Sequence, residues 1–166
     1  MFYPESFKVT TPTDREILIA RDFHAPRSMV FDAFTKPELV RRWLLGPSGW
    51  TMPVCEIDLK PGGLYRYVWR QEGVNDMGMG GVFREVVSPG RIVATEKFDE
   101  SWYPGEALNT TVFVEEGGVT RTTITVLYEW PLFLTDQSSP ELPLAQRVRS
   151  AVKNLSDASD LVVLDI

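Results

Sequence analysis

The sequence predicts an α+β protein, a curved antiparallel sheet of about seven strands around a C-terminal helix, with two short helices after the first strand. Three observations carry this. From residue 50 to residue 130 the apolar period is two, the period of strands. The joints between these stretches are short and rich in Gly and Pro, so neighbouring strands must run antiparallel, because a parallel return needs a long crossover. Finally, Leu144, Val148, Val152, Leu155, Val162 and Ile166 recur at helical steps of three, four and seven.

The elements follow in order. Residues 1–15, with Pro4 and Pro12, form a loose N-terminal lead, and residues 16–166 form a single domain. EILIARDF (16–23) is the first strand, with Ile17, Ile19 and Arg21 on one face and Leu18, Ala20 and Asp22 on the other. Pro26 pre-sets a first helical turn, and Val30, Phe31 and Phe34 make the apolar stripe of a short helix over 26–34. Pro37 opens a second, with Leu39, Val40, Trp43 and Leu44 inward, and Gly46-Pro47 ends it. Strands are expected at 51–59, 64–71, 80–88, 91–98, 108–115 and 119–130. Turn chemistry joins them at Pro61-Gly62-Gly63, 73–76, Ser88-Pro89-Gly90 and Glu116-Gly117-Gly118. After Trp130 a loop with Pro131, Pro140 and Pro143 leads to the last helix. Such a sheet must cover one face, and a curved sheet gripping a helix leaves a cavity between the two.

Composition narrows the function. With 166 residues the chain has room for one domain and a full core. A net charge of −6 disfavours nucleic acid and anionic membranes, and the Arg41-Arg42 pair reads as a solvated helix face. The single cysteine, Cys55, allows no internal disulfide and suits a reducing cytoplasm. MFYPESFKVT has no signal-peptide pattern, and no apolar run has the length of a membrane span. Asn109-Thr110-Thr111 and Asn154-Leu155-Ser156 match the glycosylation sequon by chance on this view. The expected location is the cytoplasm.

Candidate binding residues centre on LYRYVWR (64–70). Tyr65, Tyr67 and Trp69 share one face, while Leu64, Arg66, Val68 and Arg70 take the other. Lining the concave side, the three aromatics give an apolar wall with hydroxyl and indole donors for a ligand. The plainer reading is that they fill the space beneath the helix. Phe83, Phe98, Phe113, Tyr128 and Trp130 extend the wall, and Trp43 is a core plug first and a ligand contact second. Asp58 reads as a turn acceptor for backbone N–H groups. Glu56, Glu85 and Glu96 lie in strands, and any that points inward needs a partner such as Arg66 or Arg121 or a shifted pKa. A buried acid beside tyrosines has the makings of a general base. His24 is the only histidine, which removes His-rich metal sites and argues against a Ser–His triad. Cys55 reads as a small buried hydrophobe. GVNDMGMGG (73–81) reads as a mobile hairpin, and no glycine-rich phosphate loop follows a strand. No catalytic residue, metal ligand or cofactor is assigned.

The element order, with particular residues, resembles the START-like helix-grip superfamily (SRPBCC), in the branch named for the activator of the heat-shock-protein-90 ATPase. The likeness rests on Ala25-Pro26, Val30, Phe31 and Phe34; Lys36-Pro37-Glu38-Leu39; Arg42-Trp43; Gly46-Pro47 and Gly49. It continues through Asp58-Leu59-Lys60-Pro61-Gly62-Gly63, Gly81, Phe83, Glu85-Val86, Pro89, Arg91-Ile92-Val93 and Thr120-Arg121. It spans roughly 16–130; the C-terminal segment departs from the family pattern. The resemblance implies a helix-grip fold and a cavity between sheet and C-terminal helix for a small apolar or aromatic ligand, lipids included. It equally allows a co-chaperone-like domain that stimulates a chaperone ATPase, and it allows a homodimer. A cyclase- or hydrolase-like enzyme is the least favoured class.

Overall fold

The structure, a computed structural model, describes residues 6–46, 48–101 and 103–131. Within them the chain runs β1 (Lys8–Thr10), β2 (Glu16–Phe23), α1 (Arg27–Thr35), α2 (Pro37–Trp43), β3 (Thr51–Ile57), β4 (Leu64–Arg70), β5 (Met77–Val87), β6 (Arg91–Phe98), β7 (Ala107–Glu116) and β8 (Val119–Tyr128). All strands belong to one antiparallel sheet of order β1-β2-β8-β7-β6-β5-β4-β3, an open sheet whose edges are β1 and β3. The expected α+β class and the two short helices after the first long strand are therefore present. The expected C-terminal helix over 144–166 lies outside the described residues.

Three expectations change. The sheet has eight strands rather than about seven, because Lys8–Thr10 pairs with Leu18–Ala20 and draws part of the lead into the sheet. The expected hairpin over 73–81 is half strand: Met77 to Gly81 pairs antiparallel with Trp69 back to Tyr65, and Met79 is buried. Its glycines exist for close approach. A Cβ on Gly78 would meet the Asp99 carboxylate and the Arg66 guanidinium, which lie across it. The turn before β4 works as its sequence suggests. Gly62 has φ +81°, and its N–H and the Gly63 carbonyl bind the backbone of Phe83 at 2.8 and 2.9 Å. The Asp58 carboxylate, expected to accept turn N–H groups, instead faces Lys60 Nζ at 2.9 Å, and the Asp58 carbonyl takes the Lys60 N–H.

Register sets the faces. From Ile17↔Val126, Asn109↔Val126 and Ala94↔Asn109, the inner face carries Ile17, Ile19, Ile124, Val126, Asn109, Ala94 and, two residues on, Glu96. The register shift after Phe83 and another after Thr51 bend the sheet around this face. The helices plug one end. Phe113, 1 % exposed, meets Phe31 and Phe34 edge-on at 5.4 Å each, and Phe34 stacks on to Trp43 at 4.9 Å.

Helix α1 has no side-chain cap of its own. Glu115 at the far end of β7 supplies one by accepting the Arg27 N–H at 2.8 Å. Thr120, with no exposed surface, donates its hydroxyl to the Ala25 carbonyl at 2.7 Å. Thr120→Val keeps the shape and leaves that buried carbonyl without its donor. The expected cost is about 1–3 kcal/mol, read as a lower urea midpoint with unchanged slope. A wild-type midpoint would mean that α1 does not hang on this bond.

Candidate functional site

The alternation in LYRYVWR works as expected: Tyr65, Tyr67 and Trp69 are buried on the inner face, Leu64 is 64 % exposed, and Arg66 and Arg70 pair outside with Asp99 and Asp76. The polar tips of the expected wall divide it into two groups. Some are spent within the fold. Tyr65 donates to the Thr95 carbonyl at 2.8 Å, Trp69 to the Leu44 carbonyl at 2.6 Å, and Trp43 to the Ala33 carbonyl at 2.9 Å. Phe113 lies under α1, and Phe83 packs beside Tyr65 at 5.4 Å. The hydroxyls of Tyr67 and Tyr128 make no hydrogen bond among the described residues. Tyr128 belongs to a second core cluster with Ile17, Tyr103, Ala107 and Val126, and Phe98 packs against both clusters.

Between the clusters stands Glu96. Of the three strand glutamates, it is the one turned inward; Glu56 is exposed, and Glu85 pairs with Arg91 at 2.9 Å. Its partner is neither Arg66 nor Arg121, which face Asp99 and Asp22 on the outer side. Instead Asn109 Nδ2 donates to Glu96 Oε2 at 2.5 Å, a diagonal contact, since Glu96 sits opposite Ala107 and Asn109 opposite Ala94. Asn109 Oδ1 is buried without a hydrogen-bond partner among the described residues. Burial pushes the Glu96 carboxyl above the ordinary carboxylate range, against the pull of the Asn109 amide. The phenols of Tyr65, Tyr103 and Tyr128 are raised by burial first and then by the Glu96 charge. Three tyrosines, from β4, the β6–β7 loop and β8, thus feel the charge of one carboxylate. Glu96 is deep in the fold yet keeps accessible surface.

This arrangement has a pH consequence. A carboxyl whose pKa is higher folded than unfolded binds more protons in the folded state, so stability falls as pH rises through the interval between the two values. Glu96→Gln keeps the acceptor for Asn109 and removes the charge. The variant is expected to match wild type at about pH 4 and to exceed it increasingly as pH rises above the usual glutamate value of about 4.3. Thermal melts across this range check it; a difference independent of pH would mean that Glu96 titrates normally.

Elsewhere, Cys55 is buried and its thiol is pushed up by burial, as suits an inert core residue. His24 is exposed at the end of β2. Among the described residues, no three His, Cys, Asp or Glu side chains gather as metal ligands, and no helix is long and apolar enough to cross a membrane. An open groove of about 400 Å³ lies near the outer ends of β6 to β8, rimmed by Arg15, Arg84, Glu106 and Glu129; of the expected wall, Tyr128 alone borders it. Sequence reasoning named Glu96 only as one of three and missed Asn109 and Tyr103. Asn109 stood out solely as a sequon, and its buried amide is poorly placed to carry a glycan.

A curved antiparallel sheet, with paired short helices following its first long strand and plugging one end, defines a START-like fold. The chain belongs to the family described as activator of Hsp90 ATPase homolog 1-like proteins, whose model matches residues 24–152. Solved structures share the architecture. A Rhodobacter sphaeroides protein has a TM-score of 0.75 at 24 % identity, covering 94 % of this chain and 94 % of its own. A Mycobacterium smegmatis protein has a TM-score of 0.71 at 21 % identity, covering 96 % of this chain and 97 % of its own. An HSP90 activator from Plasmodium falciparum has a TM-score of 0.62 at 20 % identity, covering 88 % of this chain and 94 % of its own. At these identities the likeness is one of fold. No curated protein matches the chain significantly.

Proposed function

We propose that this chain is a binding domain that holds a small, largely apolar or aromatic molecule against the inner face of its sheet. One observation carries the reading: on the inner face Asn109 spends its amide N–H on Glu96 and keeps a buried Oδ1 with no hydrogen-bond partner among the described residues. A buried polar group without a partner costs about 1–3 kcal/mol, and such groups persist where something else satisfies them. In this reading Tyr67, Tyr128 and Phe98 contact the ligand, with Phe83 behind them. Trp43, Tyr65, Trp69 and Phe113 hold the wall in shape through their internal bonds and packing. The test is native mass spectrometry of the purified protein, followed by a thermal-shift screen of apolar and aromatic metabolites. A co-purified mass, or a compound whose Tm shift is lost in Tyr67→Phe or Asn109→Leu, supports the reading. Shifts that persist unchanged in both variants count against it.

The family's name favours a second reading, a domain that stimulates a chaperone ATPase, and so does the likeness to an HSP90 activator. Exposed Leu64, Val87 and Val114 are available to a partner protein. Adding the purified chain to an Hsp90 ATPase assay decides this: a rate increase lost on Leu64→Asp or Val114→Asp favours it, and an unchanged rate removes it.

A further inference from the structure

We propose that the molecule bound on the inner face carries a cationic nitrogen, a protonated amine on an apolar body, seated on Glu96 and Asn109. The inference rests on the binding-domain reading above and specifies its ligand.

The groups that meet at this point are all electron-rich. Glu96 offers a carboxylate, and the ion pairs of the described residues leave it without a cation. Arg66, Arg70, Arg91 and Arg121 face Asp99, Asp76, Glu85 and Asp22 respectively. Asn109 spends its amide donor on Glu96 and is left with an acceptor oxygen that nothing fills. Two of the surrounding tyrosines turn their donors elsewhere: Tyr65 to the Thr95 carbonyl at 2.8 Å, Tyr103 to the backbone carbonyl of Glu96 at 3.4 Å. Their rings remain, with Tyr103 and Tyr128 edge-to-face at 4.9 Å, and the face of a phenol ring attracts a cation. A neutral hydrocarbon would leave the carboxylate enclosed without a counter-charge, and an anionic ligand would be repelled by it. An ammonium group satisfies every member. It neutralises Glu96, donates to Asn109 Oδ1 and lies against phenol faces. The chain's net charge of −6 favours the approach of such a ligand.

The experiment compares 2-naphthylmethylamine with 2-naphthylmethanol, the same ring with and without the charge, by isothermal titration calorimetry at neutral pH. Wild-type protein is expected to bind the amine more tightly, on the order of tenfold or more, the range of a hydrogen bond to a charged group. Glu96→Gln is expected to abolish the preference while keeping the alcohol's affinity, and Glu96→Asp, which retains the charge on a shorter stem, to keep part of it. Equal wild-type affinities for amine and alcohol would overturn the cationic ligand and leave the binding domain standing. Binding of neither compound at millimolar concentration would overturn both. The wild-type ratio alone decides the matter should a variant fail to fold.

Discussion

Phe113→Ala is expected to lower folding stability by about 3–5 kcal/mol, the cost of removing a fully enclosed phenyl ring. Phe113 is 1 % exposed and joins two layers. It projects from β7 into α1, where Phe31 and Phe34 each meet it at 5.4 Å. Phe34 continues the chain of rings to Phe23 at 6.3 Å and Trp43 at 4.9 Å, so one deletion loosens both short helices. Little else can fill the space, because α1 is fixed at its start by Glu115 and Thr120. For a domain of this size, Tm is expected to fall by roughly 6–20 °C. Phe113→Leu, which refills most of the volume, should lose much less. Urea unfolding of the two variants checks this, and a loss below about 1 kcal/mol for the alanine would mean that α1 does not pack on β7 as described.

Gly81→Ala is expected to be comparably severe, about 3 kcal/mol or more, for a different reason. An added Cβ would stand 1.8 Å from the Thr95 carbonyl oxygen and 2.9 Å from Tyr65 Cε1. The first obstacle is backbone, so no rotamer change relieves it. The strand crossing must open where Tyr65 lies opposite Gly81 and donates to that same carbonyl. Thr95 adjoins Glu96, so the displacement should also weaken any ligand on the inner face. Gly117→Ala is the control: its Cβ would meet nothing within 4 Å, and only its φ of +59° opposes the change. That strain costs on the order of 1 kcal/mol. Similar losses at both positions would mean that the contact between Gly81 and Thr95 is not as close as described.

The two variants mark what the sequence discloses and what it withholds. Pro61-Gly62-Gly63 and the period-two aromatics after it are local signals, and the turn and the inward face of Tyr65, Tyr67 and Trp69 follow from them directly. Strand β1 escapes because three residues, KVT, just before Thr11-Pro12, are too few to show a periodicity; its pairing with β2 creates the strand. The glycines of β5 mislead in the opposite way. They break the alternation that would announce a strand, yet they are there because Arg66, Asp99 and Thr95 crowd that strand. The Glu96–Asn109 contact is hidden for a third reason. It depends on the β6–β7 register across a loop, and a shift of one residue would put the two side chains on opposite faces of the sheet. Arg66 and Arg121 looked equally available to Glu96 in the sequence; only the pleat places them on the opposite side.

The central claim, that a ligand settles on the inner face at Glu96 and Asn109, is tested most directly by NMR titration of the full chain with 2-naphthylmethylamine. The side-chain amide of Asn109 is identified by its loss in Asn109→Asp. A saturable shift of that amide is expected, together with shifts of the backbone amides of Glu96, Ala107 and Tyr128. Saturating shifts confined to the outer strands, around Leu64, Val87 or Val114, with the Asn109 amide unmoved, would contradict it.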